Sequence, residues 1–281
     1  MSVPADRPPF RSAVRQAVRP VDVALLGAMP AALVGAFFLP MPVRRALSFS
    51  YTDPSLLTAF TATFVHRTPS HLLANILGYV LLASVGYLLA VLADRRRLFG
   101  VAATTYVLAF GPILWMLNLA VPRSAVGYGF SGVEMAFAGL LPLLLVEYAG
   151  RRFAPWLDVR HAPALFFGVL AGIGLLGMPR TATTLTITGI SGIIALTYGG
   201  SIVAAHRAYT AAVSPDSGTH LAGWLELLAV GAVTAVAYPI VGFPTDPVAA
   251  RQVVNLYVHF LGYGLAFIGP YVALETGVFD R

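Results

Sequence analysis

Gly127-Tyr128-Gly129-Phe130-Ser131-Gly132-Val133-Glu134 opens an apolar run that continues to residue 149. At about 1.5 Å per residue, a run of this length crosses a hydrocarbon core roughly 30 Å thick, so it reads as a membrane helix and sets the fold class. Its first turn holds a serine between glycines at a membrane boundary. Flanking glycines let backbone come close and let turn N–H groups point inward, as a nucleophilic serine requires if a developing oxyanion is to be bound. Membrane helices also use Gly and Ser for close packing, and the motif alone favours that use. The decision rests on what the rest of the chain brings to the same depth.

The 281 residues are 58% hydrophobic and only 11% charged, a balance that excludes an ordinary soluble domain and implies an all-α polytopic membrane protein. With no cysteine, disulfides, thiolate catalysis and cysteine metal sites are excluded; six histidines leave only weak scope for a metal, and none is assigned. The net charge of +6 comes wholly from arginine, and in so apolar a chain it reports topology and contact with membrane lipids, not nucleic-acid binding. Arg7, Arg11, Arg15 and Arg19 precede the first apolar run, and no convincing cleavage site closes it. Residues 1–20 are therefore expected to be a cytoplasmic N-terminal tail and residues 21–281 the membrane domain.

Apolar runs at 21–39, 70–93, 98–120, 131–149, 162–178, 184–206, 221–243 and 252–275 predict eight spanning helices, here called helix one to helix eight. Helices five and six are separated only by Pro179-Arg180-Thr181-Ala182-Thr183. A cytoplasmic N-terminus puts twelve of the eighteen arginines in inner segments, most densely at Asp94-Arg95-Arg96-Arg97, and so satisfies the positive-inside rule, with the cell membrane as the expected location. Helices two, four and eight then all begin at the outer face. His71 and Asn75 fall in the first turns of helix two, Ser131 at the start of helix four and His259 about two turns into helix eight. Three helices, five, six and seven, intervene between helices four and eight, an odd number, so Ser131 and His259 enter from the same side.

Polar side chains inside a membrane helix are costly and mark functional candidates. His259 is followed by Gly262 and Gly264, which remove bulk and would admit a neighbouring helix, as a serine–histidine hydrogen bond of about 3 Å requires. His71 and Asn75, four apart, point the same way and suit an oxyanion hole with the Ser131 N–H as a further donor. Each of these also has a plainer reading, as packing or as polar contacts between helices. Glu134 is expected to be a protonated carboxyl bonded to a neighbouring helix. Trp115 and Trp224 read as interface anchors or packing, Glu226 as reaching the interface, and His161, His206 and His220 are assigned no chemistry.

Taken together, these residues resemble the rhomboid family of intramembrane serine proteases. Phe64-Val65-His66-Arg67-Thr68-Pro69-Ser70-His71-Leu72-Leu73-Ala74-Asn75 is similar to the family's second-helix signature, Gly129-Phe130-Ser131-Gly132 to its G-x-S-G nucleophile motif, and His259-Phe260-Leu261-Gly262 to its H-x-x-G base motif. The resemblance spans helices one to four and the last helix. It implies a Ser131–His259 dyad, oxyanion donors at His71 and Asn75, support from His66, Gly129, Gly132 and Gly262, no cofactor, and transmembrane proteins as substrates. It also implies a rhomboid-like six-helix core, to which the chain adds an extra helical hairpin of unassigned position. Gly242-Phe243-Pro244-Thr245-Asp246-Pro247 is then expected to cap the site, with helix seven moving to admit substrate.

Two departures stand out. The loop at residues 40–69 has no tryptophan where the family often has a Trp-Arg pair, and Met135 takes the place of an aromatic residue that commonly stacks on the base. The alternatives are a catalytically silent relative that binds membrane clients, a small transporter, and a serine–histidine enzyme acting on lipid esters.

Overall fold

Each apolar run closes into a helix. Helix one is Pro20–Phe37, two Pro69–Leu92, three Arg96–Ala120, four Ser131–Arg152, five Val159–Leu176, six Ala182–Ala212, seven Trp224–Val241 and eight Leu256–Glu275. The computed structural model describes residues 8–121, 123–212, 221–244 and 255–279. The protein is an all-α multi-pass membrane protein. Sheet among the described residues is one antiparallel pair, Phe49–Ser50 against Val126–Gly127.

Capping explains the two starts that matter most. Thr68 accepts the His71 N–H at 3.3 Å and Pro69 fills the first position of helix two, where a missing N–H costs nothing. Asn255 accepts the Val258 N–H at 3.2 Å and starts helix eight at Leu256. His259 therefore lies one turn into helix eight, not two as the apolar run implied. Helix three is interrupted by a π-helical turn at Tyr106–Phe110.

Helix four is buried along most of its length and packs on helices two, five, seven and eight. Its contact with helix eight is close because side chains are missing there. A Cβ on Gly262 would lie 2.3 Å from the Gly132 carbonyl oxygen, and one on Gly139 would lie 2.2 Å from the Tyr263 carbonyl oxygen. Gly264, expected to share this work, has nothing within 4 Å of its Cβ position.

Helices five and six pair as a hairpin. Phe166 of helix five stacks on Tyr263 and Phe267 of helix eight, with centroids 5.0 and 4.0 Å apart, while helix six packs chiefly on helix five. Helix seven lies against helices two, four and five.

The loop after helix one is anchored without a tryptophan of its own. Trp115, at the end of helix three, stacks on Phe49 at 5.8 Å and donates to Thr63 Oγ1 at 3.3 Å, and Arg44 Nη1 donates to the His66 carbonyl at 2.7 Å. Gly127 leaves room for the indole, since a Cβ there would sit 2.2 Å from it.

At the opposite end of the bundle, the arginines read as a topology signal are paired: Arg95 with Glu147 at 2.5 Å, Arg151 with Asp94 at 2.7 Å, and Arg96 with Asp22. Within the expected tail, Phe10–Ala17 forms a short helix whose Phe10 ring meets Trp224 edge-on at 5.3 Å. Trp224 is thus buried packing, and Glu226 accepts the Gly223 N–H at 2.5 Å at the head of helix seven.

Candidate active site

The N-terminal turns of helices two, four and eight meet at one end of the bundle around a cavity of about 430 Å³. His71, Asn75, Gly129, Ser131, Gly132 and His259 all line it. Ser131 Oγ donates to His259 Nε2 at 2.9 Å. The other ring nitrogen, Nδ1, donates to the Gly242 carbonyl at 2.7 Å. A carbonyl only accepts, so Nδ1 carries the proton and Nε2 presents its lone pair to the serine, the tautomer a general base needs. Phe243, the next residue, meets the His259 ring edge-on at 6.0 Å. Met135 packs beside Gly242, and the aromatic contact on His259 comes instead from Phe243 at the end of helix seven.

Asn75 is buried and its orientation is fixed by what surrounds it. Its Oδ1 accepts the Phe130 N–H at 2.8 Å and faces His66 Nε2 at 3.1 Å. A backbone N–H only donates, so the amide oxygen must face it, and Nδ2 is left with no partner among the described residues. His71 is likewise unpartnered, with Nδ1 buried. The N–H groups of Ser131 and Gly132, at the head of helix four with no side-chain cap, bond to none of the described residues. Unused donors thus belong to residues from three sources that line the same cavity as Ser131.

Gly129 makes this arrangement possible. Its φ of +114° is one that L side chains rarely adopt, and a Cβ there would lie 2.8 Å from the His71 ring. His66 stands behind the donors. Its ring is buried between Asn75 Oδ1 and the Phe64 carbonyl, 3.2 Å from Nδ1, and it packs edge-on against His71 at 4.8 Å. Burial holds its pKa below the usual histidine value, against the opposing pull of the Asn75 and Phe64 contacts.

Glu134, one turn from Ser131, is not among the residues that line the cavity. Its Oε2 accepts from the Tyr238 hydroxyl of helix seven at 2.7 Å, and Gly78 of helix two makes room for that phenol. The neighbouring helix expected to bond Glu134 is therefore helix seven. Of the expected cap, Gly242, Phe243 and Pro244 are described and Thr245-Asp246-Pro247 lie outside the described residues, as does His220. His161 and His206 are remote: His161 Nδ1 accepts the Asp158 N–H at 3.2 Å, and His206 packs on Trp156.

Residue types could not have announced two members of the site. The Gly242 acceptor is a backbone carbonyl with no side-chain signal, and Phe243 is one of seventeen phenylalanines in an apolar chain. Tyr51, Arg123 and Asn255 also line the cavity and were not anticipated.

Fold and site together define a multi-pass membrane protein with a hydrogen-bonded serine–histidine pair and unused hydrogen-bond donors in one cavity. Comparison with family models, with curated proteins and with solved structures returns no match.

Proposed function

We propose that this chain is an intramembrane serine endopeptidase of the rhomboid type, cleaving transmembrane segments of other membrane proteins near the outer face. The observation that carries the reading is the Ser131 Oγ–His259 Nε2 hydrogen bond of 2.9 Å, with the base tautomer held from behind by Gly242. In this mechanism His259 Nε2 takes the Ser131 proton as Oγ bonds to the scissile carbonyl carbon. Asn75 Nδ2, His71 and the Ser131 N–H donate to the oxyanion. The C–N bond then breaks as His259 returns the proton to the leaving amine, and water repeats the sequence on the acyl-enzyme. His66 orients Asn75, and its part is positional.

The arginine distribution supports a cytoplasmic N-terminus in the cell membrane, which turns the cavity outward. The test is cleavage of tagged single-span substrates in liposomes, alongside labelling by a fluorophosphonate probe. Wild type is expected to cleave and to be labelled at Ser131, His259→Ala to lose both, and Ser131→Ala to be inert. Cleavage that persists in Ser131→Ala would falsify the mechanism, and labelling with hydrolysis of lipid esters but of no peptide would make the protein a lipid hydrolase.

A further inference from the structure

The cavity has a second polar wall beyond the serine, histidines and Asn75. It is built from Tyr51 of the loop after helix one, Arg123 of the loop before helix four, and Asn255 at the head of helix eight, one turn before His259. The Tyr51 hydroxyl oxygen accepts from Asn118 Nδ2 at 2.5 Å, Arg123 Nη2 at 3.0 Å and Asn255 Nδ2 at 3.1 Å. Arg123 Nη2 also donates to Asn118 Oδ1 at 2.7 Å, and its guanidinium lies 4.4 Å over the Tyr51 ring. Asn255 Oδ1 is taken by the Val258 N–H.

Every acceptor in this cluster is therefore in use within it. What remains is donor capacity: the Tyr51 O–H, whose pKa burial raises, and N–H groups of Arg123 beyond those given to Tyr51 and Asn118. Among the described residues no carboxylate lines the cavity and none forms an ion pair with Arg123. A preformed wall of donors bearing one cation with no carboxylate partner among the described residues is complementary to an anion with planar acceptor geometry.

We propose that Tyr51, Arg123 and Asn255 form a carboxylate-binding subsite, so that segments taken by this protein carry an aspartate or glutamate close in sequence to the bond attacked by Ser131. The inference rests on the protease reading for its substrate class. Sharing one cavity of about 430 Å³ with Ser131 confines the acidic residue to within about two positions of the scissile bond, at roughly 3.3 Å of extended chain per residue.

Recognition can be measured apart from chemistry with the full-length Ser131→Ala protein in zwitterionic liposomes. The probes are single-span peptides in which Asp, Asn or Lys is stepped through the outer boundary. At one or two positions Asp should bind about tenfold more tightly than Asn. Arg123→Gln should bring that ratio near one, Arg123→Lys should retain part of it, and Arg123→Glu should invert it in favour of Lys, a gain that a misfolded variant cannot produce. Equal binding of Asp and Asn peptides at every position overturns the subsite even where wild type cleaves. An Asp preference that follows Arg123 upholds it even where wild type cleaves nothing, and then it is the protease reading that fails. Repeating the measurement with phosphatidylglycerol in the vesicles separates the other source of an anion: lipid retention that depends on Arg123 without any Asp preference overturns the proposal.

Discussion

Gly129 concentrates two demands on one residue, a backbone turn that favours glycine and an empty space where the His71 ring lies. Alanine there would add strain of about 1 kcal/mol or more for the left-handed backbone and would press its methyl against the His71 ring. His71 then shifts, and one oxyanion donor with it. Gly129→Ala should therefore lower cleavage by about 10²-fold while the Ser131–His259 bond persists. Fluorophosphonate labelling and peptide cleavage, measured on the same preparation, check this: wild-type cleavage by Gly129→Ala would show that His71 is not a donor. The motif made this glycine visible in the sequence, but not its reason. Asn75 is similar. Its type and spacing were legible, whereas the use of its oxygen by Phe130, which turns Nδ2 outward, depends on a backbone position that no residue pattern encodes.

Among elements, the decisive contact is that between helices four and eight, since it fixes the reach from Ser131 to His259. Gly262 sits on the Gly132 carbonyl with no room for a Cβ, whereas Gly264, two residues on, faces open space. Gly262→Val should force the helices apart, lengthen a hydrogen bond that works only near 3 Å, and remove most activity, on the order of 10²-fold or more. Gly264→Ala should change stability by no more than about 0.5 kcal/mol and leave cleavage intact. Comparable losses in the two variants would mean that the close crossing at Gly262 does not govern the site. Helix seven bears on the base through Gly242 and Phe243. It is held by Tyr238 on Glu134 and backed by helix five, where a Cβ on Gly177 would lie 2.3 Å from the Phe243 carbonyl. An outward swing of helix seven would remove the acceptor from His259 Nδ1, so helix seven must be back in place when the base acts. The sequence placed the end of helix seven over the site, but not the use of the Gly242 carbonyl by His259, which is a backbone contact that no side chain signals.

At the scale of the molecule, eight spans were legible because hydrocarbon thickness imposes a minimum apolar length, and the common depth of Ser131, His71, Asn75 and His259 followed from the parity of crossings. Where the hairpin of helices five and six packs was not legible. Phe166 stacking on Tyr263 and Phe267 fixes it, and aromatic residues on an apolar helix face pack equally well against lipid or protein. Orientation is the whole-molecule property on which the protease reading depends, and the absence of cysteine makes it directly measurable, because any introduced thiol is the only one. Ser124→Cys lies exposed in the loop beside the cavity, and Ala212→Cys lies exposed at the far end of helix six. With a cytoplasmic N-terminus, a membrane-impermeant maleimide added to intact cells should label Ser124→Cys and leave Ala212→Cys unlabelled until the membrane is permeabilised. The reverse pattern would turn the cavity toward the cytoplasm, and the expected substrates would become segments cleaved at the inner face.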